Sequence, residues 1–304
     1  MSMDIPTTPE LTGRFETRYR TFLETITTLR PSLHRYCSRM TGSTLEGEDV
    51  VQETLFHAYR KLDTFDDSLP LQPWLFRIAH NRCIDHLRRR DVREQAENAV
   101  LTPDTVDAPE PVGPLDRAVE HMVVALPPKE RACVLLKDVL DYSLEEIADL
   151  VDSTVGGVKA ALNRGRSKLA SLPEPAPIVR ATKPDVTRLL QLYVERFNRR
   201  DWDGLRELIS ADAQLRVADR FIGTFAESEY FGNYERWPAT LRLTVGHVDG
   251  ERVVIIHTLE PSGWTPLSVV DFEVTNERIT NVSDYFLAPW VLSAAFSSDV
   301  GEVS

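Results

Sequence analysis

The chain has 304 residues, of which 47 are acidic and 35 basic, giving a formal net charge of -12. This is the composition of an ordinary globular protein long enough for two or three domains. No apolar run approaches the roughly 18 residues of a membrane span, and the first 30 residues lack a secretion signal. The three cysteines are far apart and form no metal-ligand spacing. We therefore expect a cytoplasmic protein without membrane contact, metal or cofactor.

The charge is distributed in blocks, which matters more for nucleic-acid binding than the net value. Residues 74–90 contain five arginines and one acid, and residues 154–169 contain four basic residues and no acid. Between them, residues 91–120 contain eight acids and two arginines. This pattern predicts two separate DNA contacts rather than a protein that coats DNA without specificity.

The first 90 residues have the apolar period of helices. Ser43 and Glu46 have the spacing of a capping box, which precedes a predicted helix over residues 49–62. The face opposite its apolar stripe carries Asp49, Gln52, Glu53, Phe56 and Arg60. An aromatic residue on a polar face can anchor a protein partner, although a single exposed aromatic is also ordinary.

A second strong helix is predicted over residues 74–90, after a loop over residues 63–72. Arginine and asparagine side chains hold phosphates and read base edges. The candidate DNA-binding residues of this helix are Trp74, Arg77, Asn81, Arg82, Arg88 and Arg89. The alternative is a solvated face whose cations are favoured at the helix C-terminus.

Residues 93–116 are acidic and proline-containing, and they read as a flexible linker. The helices that follow start at Pro127-Pro128 and end in a helix–turn–helix pattern with its break at Asp152-Ser153. The second helix of such a motif enters the major groove. Its outer side carries Lys159, Ala160, Asn163, Arg164 and Ser167. An ordinary helical hairpin with a polar outside is the alternative.

The last third of the chain changes from helices to strands. Two helices are predicted over residues 185–198 and 202–209, followed by hairpins at Asp249-Gly250 and Asn276-Glu277. Helices followed by a curved antiparallel sheet give an α+β domain. A two-residue turn places His247 and His257 on opposite faces, so they cannot form a catalytic dyad. Asp271 is a candidate polar group of a pocket.

Three segments together resemble the sigma-70 family. Residues 48–55 (EDVVQETL) resemble its polymerase-binding helix, and residues 73–90 (PWLFRIAHNRCIDHLRRR) resemble the helix that recognises and melts the −10 element. Residues 126–166, which begin LPPKER, resemble the domain that reads the −35 element. The longer N-terminal and middle regions of housekeeping sigma factors are missing. This layout resembles the extracytoplasmic-function (ECF) type of RNA polymerase sigma factor.

The resemblance implies partners and roles for these residues. The partners are promoter DNA and core RNA polymerase, through the clamp helices of its largest subunit and its beta flap. Asp49, Gln52, Glu53 and Phe56 would contact the polymerase. The 74–90 helix would face the −10 element, with residues 63–72 holding a flipped-out base, and the 154–169 helix would face the −35 element. The acidic linker would run along the RNA-exit path.

Residues 184–297 resemble the SnoaL-like fold, a cone of curved sheet and helices around a pocket that could take a small ligand. Some sigma factors with this appended domain carry a short proline motif right after the helix–turn–helix. An interdomain segment resembles this motif: Leu172, Pro173, Glu174 and Pro175. Ser171 stands where the motif has tryptophan, and the subgroup's C-terminal Asn-Pro-Asp motif is missing.

The predicted fold class is therefore multidomain: two all-α sigma domains, a helical bundle and a helix–turn–helix, followed by an α+β SnoaL-like domain. The predicted layout is region 2 over 10–92, a linker over 93–116, region 4 over 117–171, a second linker over 172–183 and the regulatory domain over 184–297. The leading hypothesis is a sigma factor, without catalytic residues, that the last domain modulates. The alternatives are a stand-alone helix–turn–helix regulator that senses a ligand and an enzyme of the SnoaL-like fold.

Overall fold

The computed structural model describes residues 8–66, 68–98, 125–172, 184–218, 221–249, 251–286, 288 and 290–292. They form two compact units, one containing residues 8–98 and 125–172 and the other residues 184–292. Most of the predicted acidic linker, and the predicted motif residues Pro173, Glu174 and Pro175, lie outside the described residues. None of the described helices combines the length and apolar character that a membrane span requires.

The described part of the first unit is helical. Its helices are α1 (Thr8–Thr41), α2 (Thr44–Arg60), α3 (Leu71–Asn98), α4 (Pro128–Val134), α5 (Leu144–Leu150) and α6 (Val155–Ser171). A 3₁₀ turn (Leu62–Thr64) follows α2, and a π-helical turn (Leu135–Val139) continues α4.

Local sequence signals explain most of these helix starts. Ser43 caps α2, and Thr154 caps α6 by accepting a hydrogen bond from the Gly157 amide. Ser143 and Glu146 form a complete capping box on α5, and the proline at the start of α4 suits a first turn. The helix–turn–helix is confirmed, with Asp152 in the turn at a positive φ of 49°.

Two predicted boundaries are wrong. Helix α2 begins at Thr44 rather than residue 49, because Ser43 caps it directly. Helix α3 begins at Leu71 and continues to Asn98, so the first residues of the predicted linker are helical. The predicted loop over residues 63–72 is shortened accordingly. Pro73 falls in the first turn of α3, where its missing N–H is tolerated.

Helices α1 and α2 approach each other very closely. A Cβ built on Gly47 would lie 2.5 Å from the main-chain nitrogen of Ser38, so only glycine fits there. Beside this crossing, the buried Glu48 carboxylate pairs with the Arg30 guanidinium and lies 3.1 Å from Nδ1 of His34. Pairing is what allows a charge to stay in this interior, because an unpaired buried charge is costly.

Helices α4–α6 share one hydrophobic core with α1–α3. The ring of Tyr142, just before α5, packs against Phe76 of α3 with centroids 5.4 Å apart. From the sequence we expect residues 10–92 and 117–171 to fold as separate domains. In the described residues they are packed together.

The second unit is an α+β domain. Its helices are α7 (Pro184–Asn198), α8 (Trp202–Leu208) and α9 (Tyr230–Glu235). Its strands are β1 (Ile209–Val217), β2 (Phe221–Thr224), β3 (Leu241–Val248), β4 (Glu251–Glu260), β5 (Gly263–Thr275) and β6 (Arg278–Asp284). The sheet order is β2-β1-β6-β5-β4-β3.

Both predicted hairpins are present. In the first, His247 pairs with Arg252 and Arg242 pairs with His257, which is the register that the two-residue turn predicts. Asn276 and Glu277 both have positive φ, as a type I′ turn requires. The expectation of an entirely antiparallel sheet is wrong, because β1 pairs with β6 in parallel.

Candidate polymerase and promoter interfaces

An exposed aromatic surface lies on the side of α2 that the sequence assigns to the polymerase. Phe56 is 59% exposed, and the guanidinium of Arg60 lies 5.8 Å from its ring centroid. Tyr59 is also exposed and packs edge-on against Tyr19 of α1, with centroids 5.8 Å apart. Asp49 and Glu53 are half-buried at the border of this surface. The sequence pattern does not predict this pair, because the two tyrosines lie on different helices.

Gln52 does not lie on this surface, so its predicted exposure is wrong. Its side chain is buried, and Nε2 donates a 3.4 Å hydrogen bond to Oε1 of Glu48. Glu48 in turn pairs with Arg30 of α1. Gln52 is buried because α1 packs against this edge of the polar face, and the period of α2 alone contains no information about that neighbour.

Helix α3 presents an exposed polar face. Arg77, Asn81 and Arg88 are all exposed and fall within roughly 40° of one another around the helix. Asn81 and Arg88 have no hydrogen-bond partner among the described residues. Asp85, which was not among the predicted site residues, is exposed on the same face. A carboxylate there can accept a hydrogen bond from a cytosine amino group.

Of the three other candidates on α3, Trp74 and Arg82 are half-buried against neighbouring side chains, whereas Arg89 is exposed. Arg82 donates a 2.8 Å hydrogen bond to Nδ1 of His57 on α2, and Arg89 pairs with Glu53 at 3.5 Å. Burial, followed by the charge of Arg82, lowers the pKa of His57. The Trp74 ring packs against Phe65 with centroids 4.6 Å apart. Trp74 and Arg82 therefore fix α3 against its neighbours, whereas an ion pair as exposed as that of Arg89 contributes little.

The second helix of the helix–turn–helix exposes all five predicted residues: Lys159, Ala160, Asn163, Arg164 and Ser167. Lys159 and Asn163 have no hydrogen-bond partner among the described residues. The Nε of Arg164 donates a 2.7 Å bond to Glu130 of α4, which holds the guanidinium group against the domain. Gly165 faces inward, where a Cβ would lie 3.0 Å from Val134. Helix α6 is therefore fixed in place with a polar outer face.

Contacts that the sequence did not predict join α1 and α3 to α4, α5 and the turn between them. Arg77 of α3 donates hydrogen bonds of 2.6 and 3.2 Å to the carbonyl oxygen of Asp149 in the last turn of α5. Arg131 of α4 donates to the carbonyl oxygen of Met40 in the last turn of α1. Gln72 donates a 3.0 Å bond to the Tyr142 hydroxyl.

The second unit contains a buried carboxyl group that sequence reasoning missed. Asp284, on β6, accepts hydrogen bonds from the hydroxyls of Tyr230 and Tyr234 and from the Phe286 amide. Burial raises the pKa of Asp284, and the two tyrosine hydrogen bonds act in the opposite direction. Aromatic rings surround the group, including Phe197 beside Tyr234 at 5.3 Å. The carboxyl is satisfied by donors from the chain itself, as a structural network requires.

The histidines of this unit occupy opposite faces of the sheet, as predicted. His247 is exposed, whereas His257 is buried and its Nε2 lies 2.8 Å from the Thr244 hydroxyl. Asp271, the candidate polar group of a pocket, is half-buried. Its neighbours Val270 and Phe272 belong to the core face, so Asp271 points to the other side. No group of three metal-binding side chains occurs among the described residues.

The chain is similar to known proteins in both helical segments. Residues 25–93 match the family Sigma-70 region 2, and residues 116–169 match Sigma-70, region 4. ECF RNA polymerase sigma factor SigG of Mycobacterium tuberculosis is 34% identical over 214 residues, which are 60% of this chain and 58% of SigG. SigW of Bacillus subtilis is 32% identical over 165 residues, which are 49% of this chain and 86% of SigW.

Two solved structures are also similar to this chain. The extracytoplasmic function sigma factor SigJ of Mycobacterium tuberculosis is 16% identical, with 86% of this chain and 95% of SigJ covered, at a TM-score of 0.36. A putative ketosteroid isomerase from Kribbella flavida is 20% identical, with 33% of this chain and 76% of that chain covered, at a TM-score of 0.27. Because both TM-scores are low, the fold of each unit is assigned from its own helices and strands and not from these similarities.

The two matched regions, carried by α1–α3 and α4–α6, define a protein of the sigma-70 type. The similarity to SigW, over most of that protein's length, narrows the class: the chain belongs to the ECF RNA polymerase sigma factors. The alignment with SigG covers less than two thirds of that protein's length.

Proposed function

We propose that this chain directs core RNA polymerase to particular promoters, and that the second unit modulates this activity. The observation that carries the proposal is the outer face of α6, in a chain of the ECF family. Lys159 and Asn163 are exposed there without a partner among the described residues. They lie on the second helix of a helix–turn–helix, the helix that enters the major groove. We assign the −35 element to this face.

The −10 element is assigned to the exposed face of α3. Arg77, Asn81 and Arg88 supply one amide and two guanidinium groups on one side of the helix. Asparagine can pair with adenine and arginine with guanine or phosphate, whereas Arg82 serves to hold α3 in place. Strand separation is a conformational change, so this role needs no catalytic residue.

Core polymerase is assigned to the aromatic surface of α2. A large apolar side chain surrounded by polar groups is typical of an interface anchor, and Phe56 lies between Arg60 and the border formed by Asp49 and Glu53. The exposed pair Tyr19 and Tyr59 extends this surface onto α1.

The second unit is proposed to act as a regulator rather than as an enzyme. Its histidines face opposite sides of the sheet, and its buried Asp284 is already bonded by Tyr230 and Tyr234. An enzyme would need a converging acid and base near a substrate. A regulatory domain needs only to favour one of two states of the helical unit. A small ligand could supply that bias.

In vitro transcription with purified core polymerase tests the proposal. Fragmented genomic DNA serves as template, and the 5′ ends of the transcripts are mapped with and without the protein. Initiation at a limited set of sites supports the sigma-factor assignment. If the protein binds specific DNA sites by itself, and polymerase does not change that binding, a stand-alone regulator is favoured instead. Deleting residues 184–304 should change output at the mapped promoters, and unchanged output would contradict modulation by the second unit.

A further inference from the structure

A short loop joins α2 to α3 and ends where the proposed −10 face begins. Leu62, at the start of the loop, is 1% exposed, and the Phe65 ring packs against Trp74 near the start of α3, with centroids 4.6 Å apart. The chain then turns outward. Leu69 is 57% exposed, two residues before α3 begins. The loop is therefore anchored at its base and presents an aliphatic side chain next to the proposed DNA-binding helix.

Two hydrogen bonds and a proline hold the tip of this loop in place. The Asp66 carboxylate accepts a 3.0 Å hydrogen bond from the Ser68 amide, and the Asp66 carbonyl oxygen accepts one of 3.0 Å from the Leu69 amide. Pro70 restricts the backbone of Leu69 to extended conformations. An exposed leucine on a preorganised tip is suited to a contact that requires a fixed position.

Arg18 of α1 holds the first half of the loop. Its Nη1 donates a 2.8 Å hydrogen bond to the Asp63 carbonyl oxygen, although 45 residues separate the two in the chain. Beside it, Tyr19 packs against Tyr59 in the last turn of α2, where the loop starts. Arg18 and Tyr19 lie N-terminal to residues 25–93, the segment that matches region 2. The N-terminal part of α1 therefore acts as a brace for the loop.

The charge of the loop decides which part of DNA it can approach. The loop contains three acidic residues: Asp63, Asp66 and Asp67. Acids next to phosphates are unfavourable because like charges repel. The hydrogen bonds from Ser68, and after them the Arg18 charge, lower the pKa of Asp66, so its carboxylate stays charged at neutral pH. The side chain that suits DNA is the apolar Leu69, and apolar side chains insert between base steps and unstack them.

We propose that Leu69 is a wedge that separates the promoter strands at the −10 element, and that Arg18 is the positioning residue that holds the loop for this step. The inference rests on the proposed function, because it requires the exposed face of α3 to lie on promoter DNA. Inserting an aliphatic chain replaces the stacking of one base step. The contacts of α3 with the DNA supply the free energy that this unstacking costs.

The experiment measures promoter binding and promoter opening separately. Core polymerase with the full-length chain is mixed in a stopped-flow instrument with a mapped promoter fragment that carries 2-aminopurine in the −10 element. A second template has the same sequence with the −10 segment premelted by mismatches. Gel shift at low temperature gives the affinity for the duplex before it opens. A wedge matters only where the strands must still be separated, so the second template distinguishes it from a general loss of binding or stability.

Leu69→Ala shortens the wedge, Arg18→Ala removes the brace, and Arg18→Lys keeps the cation. The matched controls are Arg20→Ala and Leu259→Ala. Arg20 is an exposed arginine on the same helix as Arg18, without a hydrogen-bond partner among the described residues. Leu259 is 51% exposed in the second unit. Circular dichroism checks that each variant is folded.

Leu69→Ala should slow opening of the duplex promoter at least about tenfold, because the unstacked step loses the side chain that occupies it. Arg18→Ala should slow it roughly fivefold, the factor expected for one lost hydrogen bond, and Arg18→Lys should recover part of the rate. On the premelted template both alanine variants should initiate within about twofold of the wild type, since the mismatches supply the free energy of unstacking. Their affinity for the unopened duplex should not change.

An opening rate of Leu69→Ala equal to that of Leu259→Ala would overturn the wedge. Equal losses on the duplex and the premelted template would overturn it as well, because they show a role in binding or folding. The brace is contradicted if Arg18→Ala opens the duplex as fast as Arg20→Ala. If Arg18→Ala unfolds, Arg18→Lys takes its place: its single ammonium group should still leave duplex opening slower than in Arg20→Ala, and an equal rate overturns the brace.

The same data separate this inference from the proposed function. If the wild-type chain with core polymerase opens no promoter, the proposed function fails and the wedge fails with it. If the wild type opens promoters and the variants match their controls, only the wedge and its brace fail.

Discussion

Arg82 of α3 donates a 2.8 Å hydrogen bond to Nδ1 of His57 on α2. This bond separates the arginines of α3 into two classes, although all of them belong to one basic segment of the sequence. Arg82 is held inside the helical unit, whereas Arg88 is exposed without a partner among the described residues.

The two classes should respond differently to alanine substitution. Arg88→Ala should weaken promoter binding by the holoenzyme about tenfold and reduce its salt dependence by about one charge. Arg82→Ala should change that affinity less than about threefold but lower the melting temperature, because it removes a bond between α2 and α3. Fluorescence anisotropy across a salt series, with thermal unfolding alongside, measures both. Equal losses of affinity would contradict the division.

Phe56 and Gln52 should separate polymerase binding from stability in the same way. Phe56→Ala should weaken binding to core polymerase about tenfold or more, as expected for an aromatic anchor. Gln52→Ala should leave that affinity within about threefold and lower the stability of the chain, because its partner Glu48 is buried. Biolayer interferometry with immobilised core polymerase gives the affinities. If Gln52→Ala weakened polymerase binding more than Phe56→Ala does, Gln52 would have to be exposed on the binding surface, as its position in the sequence suggests.

Gly47 should not tolerate a methyl group. Gly47→Ala would place Cβ against the main chain of Ser38, and such overpacking destabilises a protein by about 1–3 kcal/mol. Gly156→Ala is the control, because its Cβ would meet only Thr154 Oγ1 at 3.9 Å. Gly156 is exposed in the first turn of α6, so this change should alter stability by no more than about 0.5 kcal/mol. Urea unfolding measures both, and a neutral Gly47→Ala would contradict the close α1–α2 crossing.

His80 should make the helical unit sensitive to acid. Burial lowers the pKa of His80 from 6.5 to about 4, and its Nδ1 lies 2.9 Å from the Tyr36 hydroxyl. The unfolded chain therefore binds a proton between pH 6.5 and pH 4 that the folded chain does not. Stability falls as the pH falls through this window, by up to about 3 kcal/mol from this residue.

His80→Gln removes this titration while keeping a polar side chain. Between pH 7 and pH 4, the loss of unfolding free energy should be smaller in His80→Gln than in the wild type. Chemical denaturation at several pH values provides the comparison. Parallel curves for the two proteins would show that His80 does not remain neutral in the fold.

Local signals in the sequence predict the elements of both units well. Capping residues such as Ser143 and Thr154 fix helix starts through bonds within one turn. The Asp249-Gly250 turn fixes the β3–β4 register because the side-chain period of a strand is two. The exposed residues of α6 follow from helical periodicity alone, since the opposite side of that helix is its buried face.

What the sequence could not predict depends on contacts between distant segments. Gln52 is buried by α1, and Arg82 meets His57, although nothing near either residue in the sequence signals the neighbour. The parallel pairing of β1 with β6 joins strands far apart in the chain. Asp284 follows a strand pattern but is buried because Tyr230 and Tyr234 come from a separate helix.

The central claim is that the exposed faces of α3 and α6 direct polymerase to chosen promoters, and start-site mapping after in vitro transcription tests it most directly. Core polymerase with the wild-type chain should initiate at a limited set of sites, and the double variant Lys159→Ala/Asn163→Ala should lose most initiation there while still binding polymerase. Unchanged start sites with that variant, or no site-selective initiation by the wild type, would contradict the claim.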